Sequence, residues 1–161
     1  MAGTITIRAA AEHEMPQVLA FIRELAVYER LEHEVVASVA DLSAALFGAH
    51  RYAEVVFACL DGVPVGFALF FHNFSTFLGK PGIYLEDLFV RPAARGHGIG
   101  KRLLAWLATT TLERGCARLD WAVLDWNEPA LGFYRGLGAV AQHEWTTMRV
   151  SGAALERLAR G

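Results

Sequence analysis

Three closely spaced glycines lie between an apolar segment and an amphipathic one near the middle of the chain. The apolar segment, residues 83–90, predicts a strand, and Gly96, Gly98 and Gly100 open a helical pattern that Gly115 ends. Closely spaced glycines let the backbone approach a bound group, because no Cβ intervenes. Unpaired N–H groups and the positive end of the dipole at a helix start favour a phosphate. The sequence therefore predicts a strand–loop–helix unit that holds a pyrophosphate.

Two common phosphate-binding patterns do not fit this segment. A nucleoside-triphosphate P-loop requires Gly-x-x-x-x-Gly-Lys and then Ser or Thr, but Gly100-Lys101 is followed by Arg102, and Arg95 occupies the position of the first glycine. A dinucleotide fingerprint requires Gly-x-Gly-x-x-Gly, and the three glycines are one residue short of it. Asp120 does lie near the position of that fingerprint's acidic residue. Such folds usually contain several βαβ units, however, and this sequence indicates only one.

The size and composition of the chain fit one folded α/β domain, which we expect to cover residues 1–161. Hydrophobic residues make up 54% of the chain, which excludes a disordered protein and suits a buried sheet. The formal net charge of −2 provides no basic surface for nucleic acid. No apolar run is long enough to cross a bilayer, and the N-terminus lacks a basic segment followed by an apolar one. We therefore expect a cytoplasmic protein that binds neither nucleic acid nor membrane.

The cysteines and histidines give no indication of a metal site. Cys59 and Cys116 lie in or beside predicted strands and lack the CxxC spacing of zinc or redox sites. We expect both to pack as small hydrophobic residues. The six histidines are scattered without the spacing of metal ligands. The sequence therefore predicts no bound metal.

The order of predicted elements indicates antiparallel strands first and one βαβ crossover in the middle. Asp61-Gly62 between two apolar runs is a strong hairpin signal, and Asn127 followed by Pro129 is typical of a helix start. The predicted strands cover residues 4–8, 52–60, 63–71, 83–90, 118–124, 139–142 and 144–150. The predicted helices cover residues 12–29 and 39–47, the segment after the glycines, the segment from Asn127 to Gly138, and residues 153–159. Residues 73–82 are predicted to form a loop.

Arg95, Gly98 and Gly100 match the pattern Arg/Gln-x-x-Gly-x-Gly/Ala. This resembles the acyl-CoA loop of the GNAT N-acetyltransferases, and the order of elements agrees with that family over nearly the whole chain. The resemblance implies a GNAT-like α/β fold, with a mixed central sheet, antiparallel N-terminal strands and a βαβ cofactor crossover. Further segments resemble the spermidine/spermine (diamine) N-acetyltransferase branch, which includes thialysine acetyltransferases. These segments are Leu25–Glu29, Tyr84–Val90, Trp126–Pro129 and Gly132–Tyr134.

The resemblance implies that acetyl-CoA is the cosubstrate and that the protein is a homodimer. The backbone groups that would pair with the pantetheine arm belong to Leu88, Phe89 and Val90. The residues that would hold the pyrophosphate are Arg95, Gly96, His97, Gly98, Ile99, Gly100 and Lys101. The residues that would flank the other side of the cofactor are Asn127, Pro129 and Ala130. Tyr134 would protonate the departing thiolate.

For the amine substrate, the resemblance implies contacts with Tyr28, Glu29 and Glu86. Asp120 and Trp121 lie where the branch lines its amine site, although with different side chains. A polyamine, a short diamine and a lysine-like or thialysine-like amine all remain open as acceptors.

The chemistry of acetyl transfer gives these side chains independent roles. The attacking nitrogen must be neutral, although alkyl ammonium groups have a pKa near 10, so a carboxylate that attracts the cation and accepts a proton is needed. Neighbouring residues of a strand point to opposite faces, and we assign Glu86, not Asp87, to the amine. An N–H group at a bulged strand end can stabilise the developing oxyanion. A tyrosine phenol has an acidity comparable to that of the CoA thiol, so Tyr134 is suited to protonate the departing thiolate.

We therefore expect an acetyl-CoA-dependent N-acetyltransferase in which the amine attacks directly in a ternary complex, without an acyl-enzyme. Two alternatives remain at this point. The acceptor could be the amine of a protein or peptide, which would need an open cleft, or the domain could bind acyl-CoA as a sensor without catalysis.

Overall fold

The structure is a computed structural model and describes residues 3–161. Within that range the chain contains a sheet of five strands together with five α-helices. The strands are β1 (Ile5–Ala9), β2 (Glu54–Leu60), β3 (Val63–Ser75), β4 (Lys80–Val90) and β5 (Leu119–Trp121). The helices are α1 (Met15–Tyr28), α2 (Val39–Phe47), α3 (Ile99–Glu113), α4 (Glu128–Gly136) and α5 (Gly152–Ala159).

The strands follow one another across the sheet in the order β1-β2-β3-β4-β5. The first three pairs are antiparallel, and β4 and β5 are parallel and joined through α3. Asp61 and Gly62, which join β2 and β3, have φ angles of 50° and 82°. Such left-handed values are those that a tight two-residue hairpin requires. The predicted fold, with antiparallel N-terminal strands and one βαβ crossover, is confirmed.

Both faces of the sheet are covered by helices that bury aromatic side chains. On one face Phe21 of α1 stacks on Phe67 with ring centroids 5.5 Å apart and meets the edge of Phe57 at 5.8 Å. On the other face Trp106 of α3 packs edge-on against Phe70 at 5.8 Å. This packing places α1 and α3 on opposite faces of the sheet.

Packing divides the described chain into two compact units, one up to Ala122 and the other from Val123 to Gly161. The first contains the whole sheet with α1 to α3, and the second contains α4 and α5. The single domain expected from the sequence therefore stays a prediction. No helix in the described range, residues 3–161, combines the length and apolar character that a membrane span requires.

Four predicted segments differ from the structure. Of the loop predicted at 73–82, only residues 76–79 form a turn, because β3 and β4 continue their ladder to the pair Ser75↔Lys80. Main-chain hydrogen bonds join polar residues as well as apolar ones. The strand predicted at 118–124 is only Leu119–Trp121. Residues 139–142 and 144–150 contain no strand, and side chains such as Trp145 are exposed there. An apolar pattern alone does not form a strand unless a neighbour supplies the hydrogen bonds.

Candidate active site

A β-bulge interrupts β4 just before its end. Leu69 of β3 is opposite Asp87, whereas the next residue, Phe70, is opposite Leu85, so Glu86 is an extra residue without a partner on β3. A bulge bends the strand, increases its twist and changes the direction of nearby side chains and N–H groups. A bulged strand end can supply an oxyanion donor, as the sequence analysis noted, and β4 has such an end.

Beyond the bulge, β4 pairs with a strand on one side only. The parallel ladder with β5 covers Ile83 to Leu85, and β5 ends at Trp121. The following stretch, from Asp87 to Val90, is paired with β3, and the strands described within residues 3–161 leave its other edge unpaired. Backbone groups at such an edge can hydrogen-bond an extended, amide-containing ligand in the way that an additional strand would.

The loop after β4 leads into the N-terminus of α3 through backbone conformations that favour glycine. Gly96 and Gly98 have φ angles of 84° and 71°, in the left-handed region. Gly98 is the N-cap of α3, which has no side-chain cap and no acidic residue in its first turn, while Lys101 and Arg102 lie there. The amides at the start of this 15-residue helix are thus available to an anion. The segment predicted to hold a pyrophosphate has a backbone suited to it.

Arg95 packs against aromatic rings beside this loop. Its guanidinium carbon lies 5.3 Å from the ring centroid of Tyr28 and 5.8 Å from that of Phe89, and its Nε donates a hydrogen bond of 3.0 Å to the carbonyl of Val90. The sequence analysis assigned Arg95 to the cofactor and Tyr28 to the amine. The structure brings these two residues into contact, which neither pattern predicted.

An acidic group forms where the end of α1 meets β4. Burial, followed by the nearby carboxylates of Glu86 and Glu29, raises the pKa of Asp87 to about 6. Burial also raises the pKa of Glu29. Asp87, which the sequence analysis set aside, therefore lies within electrostatic reach of both Glu86 and Glu29. Negative charge at this strand end attracts a cation.

Asp120 and Trp121 lie on β5 beside β4. Asp120 is opposite Tyr84 and accepts hydrogen bonds from Arg118 Nε at 3.1 Å and Asn73 Nδ2 at 3.3 Å. Trp121 is opposite Leu85. Two protein donors therefore already hold the carboxylate of Asp120.

The remaining predicted residues belong to the second unit, which is described by itself. Asn127 caps α4, as predicted, and its Oδ1 accepts a hydrogen bond of 3.4 Å from the N–H of Ala130. Pro129 lies in the first turn. Tyr134 is partly buried in the same helix, and its ring lies 5.6 Å from that of Phe133.

Cys59 and Cys116 are both buried, which confirms the prediction that they pack as small hydrophobic residues. Among residues 3–161, no three His, Cys, Asp or Glu side chains gather in a way that could hold a metal ion.

Comparison with known proteins agrees with this geometry. The profile of the acetyltransferase (GNAT) family matches residues 10–139. A thialysine N-epsilon-acetyltransferase of Bos taurus is 37% identical, over 96% of this chain and 97% of that protein. An L-ornithine N5-acetyltransferase of Arabidopsis thaliana is 30% identical, over 94% of this chain and 86% of that protein.

Solved structures show the same fold. An integron cassette protein from the mobile metagenome of V. cholerae superimposes with a TM-score of 0.81 at 30% identity, covering 98% of both chains. An aminoglycoside acetyltransferase from an uncultured soil metagenomic sample, crystallised with sisomicin, superimposes with a TM-score of 0.75 at 21% identity, over 91% of this chain and 95% of that one.

Proposed function

This chain belongs to the acetyltransferase (GNAT) family, and we propose that it transfers the acetyl group of acetyl-CoA to a primary amine of a lysine-like amino acid, a diamine or a polyamine. The observation that carries this proposal is the bulged, half-paired end of β4, which continues directly into the glycine loop and the uncapped start of α3. The relatives named for thialysine and L-ornithine support a small acceptor with a terminal amine.

In this proposal the cofactor is held mainly by backbone. The half-paired edge of β4 at Leu88, Phe89 and Val90 hydrogen-bonds the pantetheine arm, and the amides from Gly96 to Lys101 surround the pyrophosphate. Arg95 adds a positive charge. The N–H groups at the bulged strand end stabilise the negative charge that develops on the thioester oxygen. Asn127, Pro129 and Ala130 are assigned to the cofactor's other side from the family resemblance.

The acidic group of Glu29, Glu86 and Asp87 receives the amine in this proposal. Its negative charge attracts the ammonium form of the substrate, and one carboxylate takes the proton that the nitrogen must lose before it attacks. Asp87 suits this role because its raised pKa, about 6, makes it a better proton acceptor than an ordinary Asp while it stays ionised at neutral pH. Glu86, which is exposed, and Tyr28 remain candidates for contact with the substrate.

Tyr134 is assigned as the residue that donates a proton to the departing thiolate. A phenol whose acidity is similar to that of the thiol can transfer its proton as the carbon–sulfur bond breaks. Acetyl-CoA supplies the activated acetyl group, and the chain supplies the positioning, the proton acceptor and the proton donor.

The test is the release of free CoA from acetyl-CoA with a panel of acceptors: thialysine, lysine, ornithine, putrescine, spermidine and a lysine-containing peptide. Turnover with at least one small amine, and little with the peptide, is the expected result. Turnover with the peptide alone would redirect the proposal to a protein acetyltransferase. Binding of acetyl-CoA without turnover on any acceptor would indicate a sensor.

Direct attack by the amine predicts that neither cysteine is needed for chemistry. The double variant Cys59→Ala/Cys116→Ala is expected to keep kcat within about threefold of wild type, because both thiols are buried among packing residues. The assay is run at reduced temperature, with circular dichroism to confirm the fold, since truncating buried side chains lowers stability. Loss of turnover in a folded double variant would instead indicate an acetyl-cysteine intermediate.

A homodimer, inferred from the resemblance, and a cytoplasmic location, inferred from the sequence, are part of the same proposal. Light scattering coupled to size-exclusion chromatography measures the oligomeric state.

A further inference from the structure

The guanidinium of Arg95 connects the loop after β4 to the last turn of α1. It lies over the ring of Tyr28 at 5.3 Å and that of Phe89 at 5.8 Å, and its Nε bonds the carbonyl of Val90 at 3.0 Å. These three contacts hold the guanidinium in place. Four residues earlier, Arg91 makes a two-pronged ion pair with Glu24 of the same helix. Helix α1 therefore contacts the loop at two positions, Arg91 and Arg95.

The three contacts restrict the side chain of Arg95, which otherwise has many conformations. A free arginine loses rotamer entropy when it binds an anion, and a side chain already held in place loses less. The bond to Val90 uses only Nε, and the terminal nitrogens of a guanidinium carry four further N–H groups. A planar guanidinium can thus rest on aromatic rings and still present a fork of donors to a phosphate.

We propose that Tyr28 is a positioning residue for acetyl-CoA, and that its ring fixes Arg95 for the pyrophosphate. This inference rests on the proposed function and changes the role of Tyr28, which the family resemblance assigns to the amine. The ring contributes through its face, so the hydroxyl group is not needed. Tyr28 is 41% exposed, so the substitution is made near the surface.

The first experiment measures the dissociation constant of acetyl-CoA by calorimetry for the full chain. Tyr28→Leu is expected to raise this constant roughly two- to fivefold, the effect of a cation–π contact at an exposed site. Tyr28→Phe keeps the ring and is expected to bind like wild type. Val27→Ala, at the exposed neighbouring residue, serves as the matched control and is expected to leave the constant unchanged.

A double-mutant cycle separates this role from a general structural one. In an Arg95→Gln background, Tyr28→Leu is expected to have no further effect on acetyl-CoA binding, because the partner of the ring is gone. The KM for the amine is expected to stay constant in Tyr28→Leu while the KM for acetyl-CoA rises. Thermal melts check that each variant is folded.

Three results would overturn the inference. The first is an unchanged acetyl-CoA constant in Tyr28→Leu with a raised KM for the amine, which would return Tyr28 to the substrate. The second is an equal effect of Tyr28→Leu in both Arg95 backgrounds. The third is a wild-type protein that does not bind acetyl-CoA, which would refute the proposed function as well. The binding of acetyl-CoA by the wild type therefore distinguishes failure of this inference alone from failure of the inference and the proposed function together.

Discussion

The variant Asp87→Asn is expected to be more stable than wild type at neutral pH. The pKa of Asp87 is raised from 3.8 to about 6, so the proton binds the folded state more tightly than the unfolded state. The stability of the wild type therefore falls as the pH rises from about 4 to about 6 and stays lower above that range. A difference of this size corresponds to roughly 3 kcal/mol, and we expect Asn to recover about 1–3 kcal/mol of it at pH 7.5. Urea unfolding between pH 4 and pH 8 measures the effect, and the two proteins should converge near pH 4.

The same substitution is expected to lower kcat/KM for the amine by roughly 10²-fold, because the acidic group loses a charge and its proton acceptor. In wild type, kcat/KM should rise with pH through an acid limb near pH 6, where Asp87 ionises, and the variant should lack this limb. Glu86→Gln is the matched control: at an exposed position it should change stability by less than about 0.5 kcal/mol. If Glu86→Gln abolishes the acid limb and Asp87→Asn retains it, then Glu86 is the proton acceptor.

The variant Tyr134→Phe is expected to lower kcat by at least roughly 10²-fold while the dissociation constant of acetyl-CoA changes little. The substitution removes the phenolic proton and keeps the ring, so the thiolate must depart without a general acid. Pre-steady-state measurement of CoA release, together with calorimetry on acetyl-CoA, separates chemistry from binding.

A matched control is Tyr52→Phe, since this ring is 68% exposed and packs against His50. Its kcat should equal that of wild type. Wild-type kcat in Tyr134→Phe would remove the tyrosine from the mechanism and leave water as the proton donor.

Much of the fold could be predicted because local signals and packing agree. Ser38 begins α2 with a capping box to Asp41, and this helix covers the predicted residues. The Asp61-Gly62 turn and the Asn127 cap could also be predicted from the sequence, since each depends on a few neighbouring residues. Strand pairing was less accessible. The extension of β3 and β4 to the pair Ser75↔Lys80 depends on main-chain hydrogen bonds between the two strands and not on local composition.

The acidic group shows the same limit at the candidate site. Strict alternation along β4 separates Glu86 from Asp87, but the bulge breaks that alternation, and the register with β3 is needed to see it. The raised pKa of Asp87 also depends on Glu29, which is far away in the sequence. The contact between Arg95 and Tyr28 is likewise formed by two distant segments. Each segment was identified from the sequence, but their contact was not.

The bulge in β4 also bears on how such a site can arise. Between the pairs Phe70↔Leu85 and Leu69↔Asp87, β4 has one residue that β3 lacks, and that residue is Glu86. Removing that residue would give a continuous ladder in which every other side chain of the strand keeps its partner and its face. The insertion of one codon is therefore enough to convert a regular hairpin of this kind into one with a reoriented strand end, while the apolar core on both faces of the sheet is conserved.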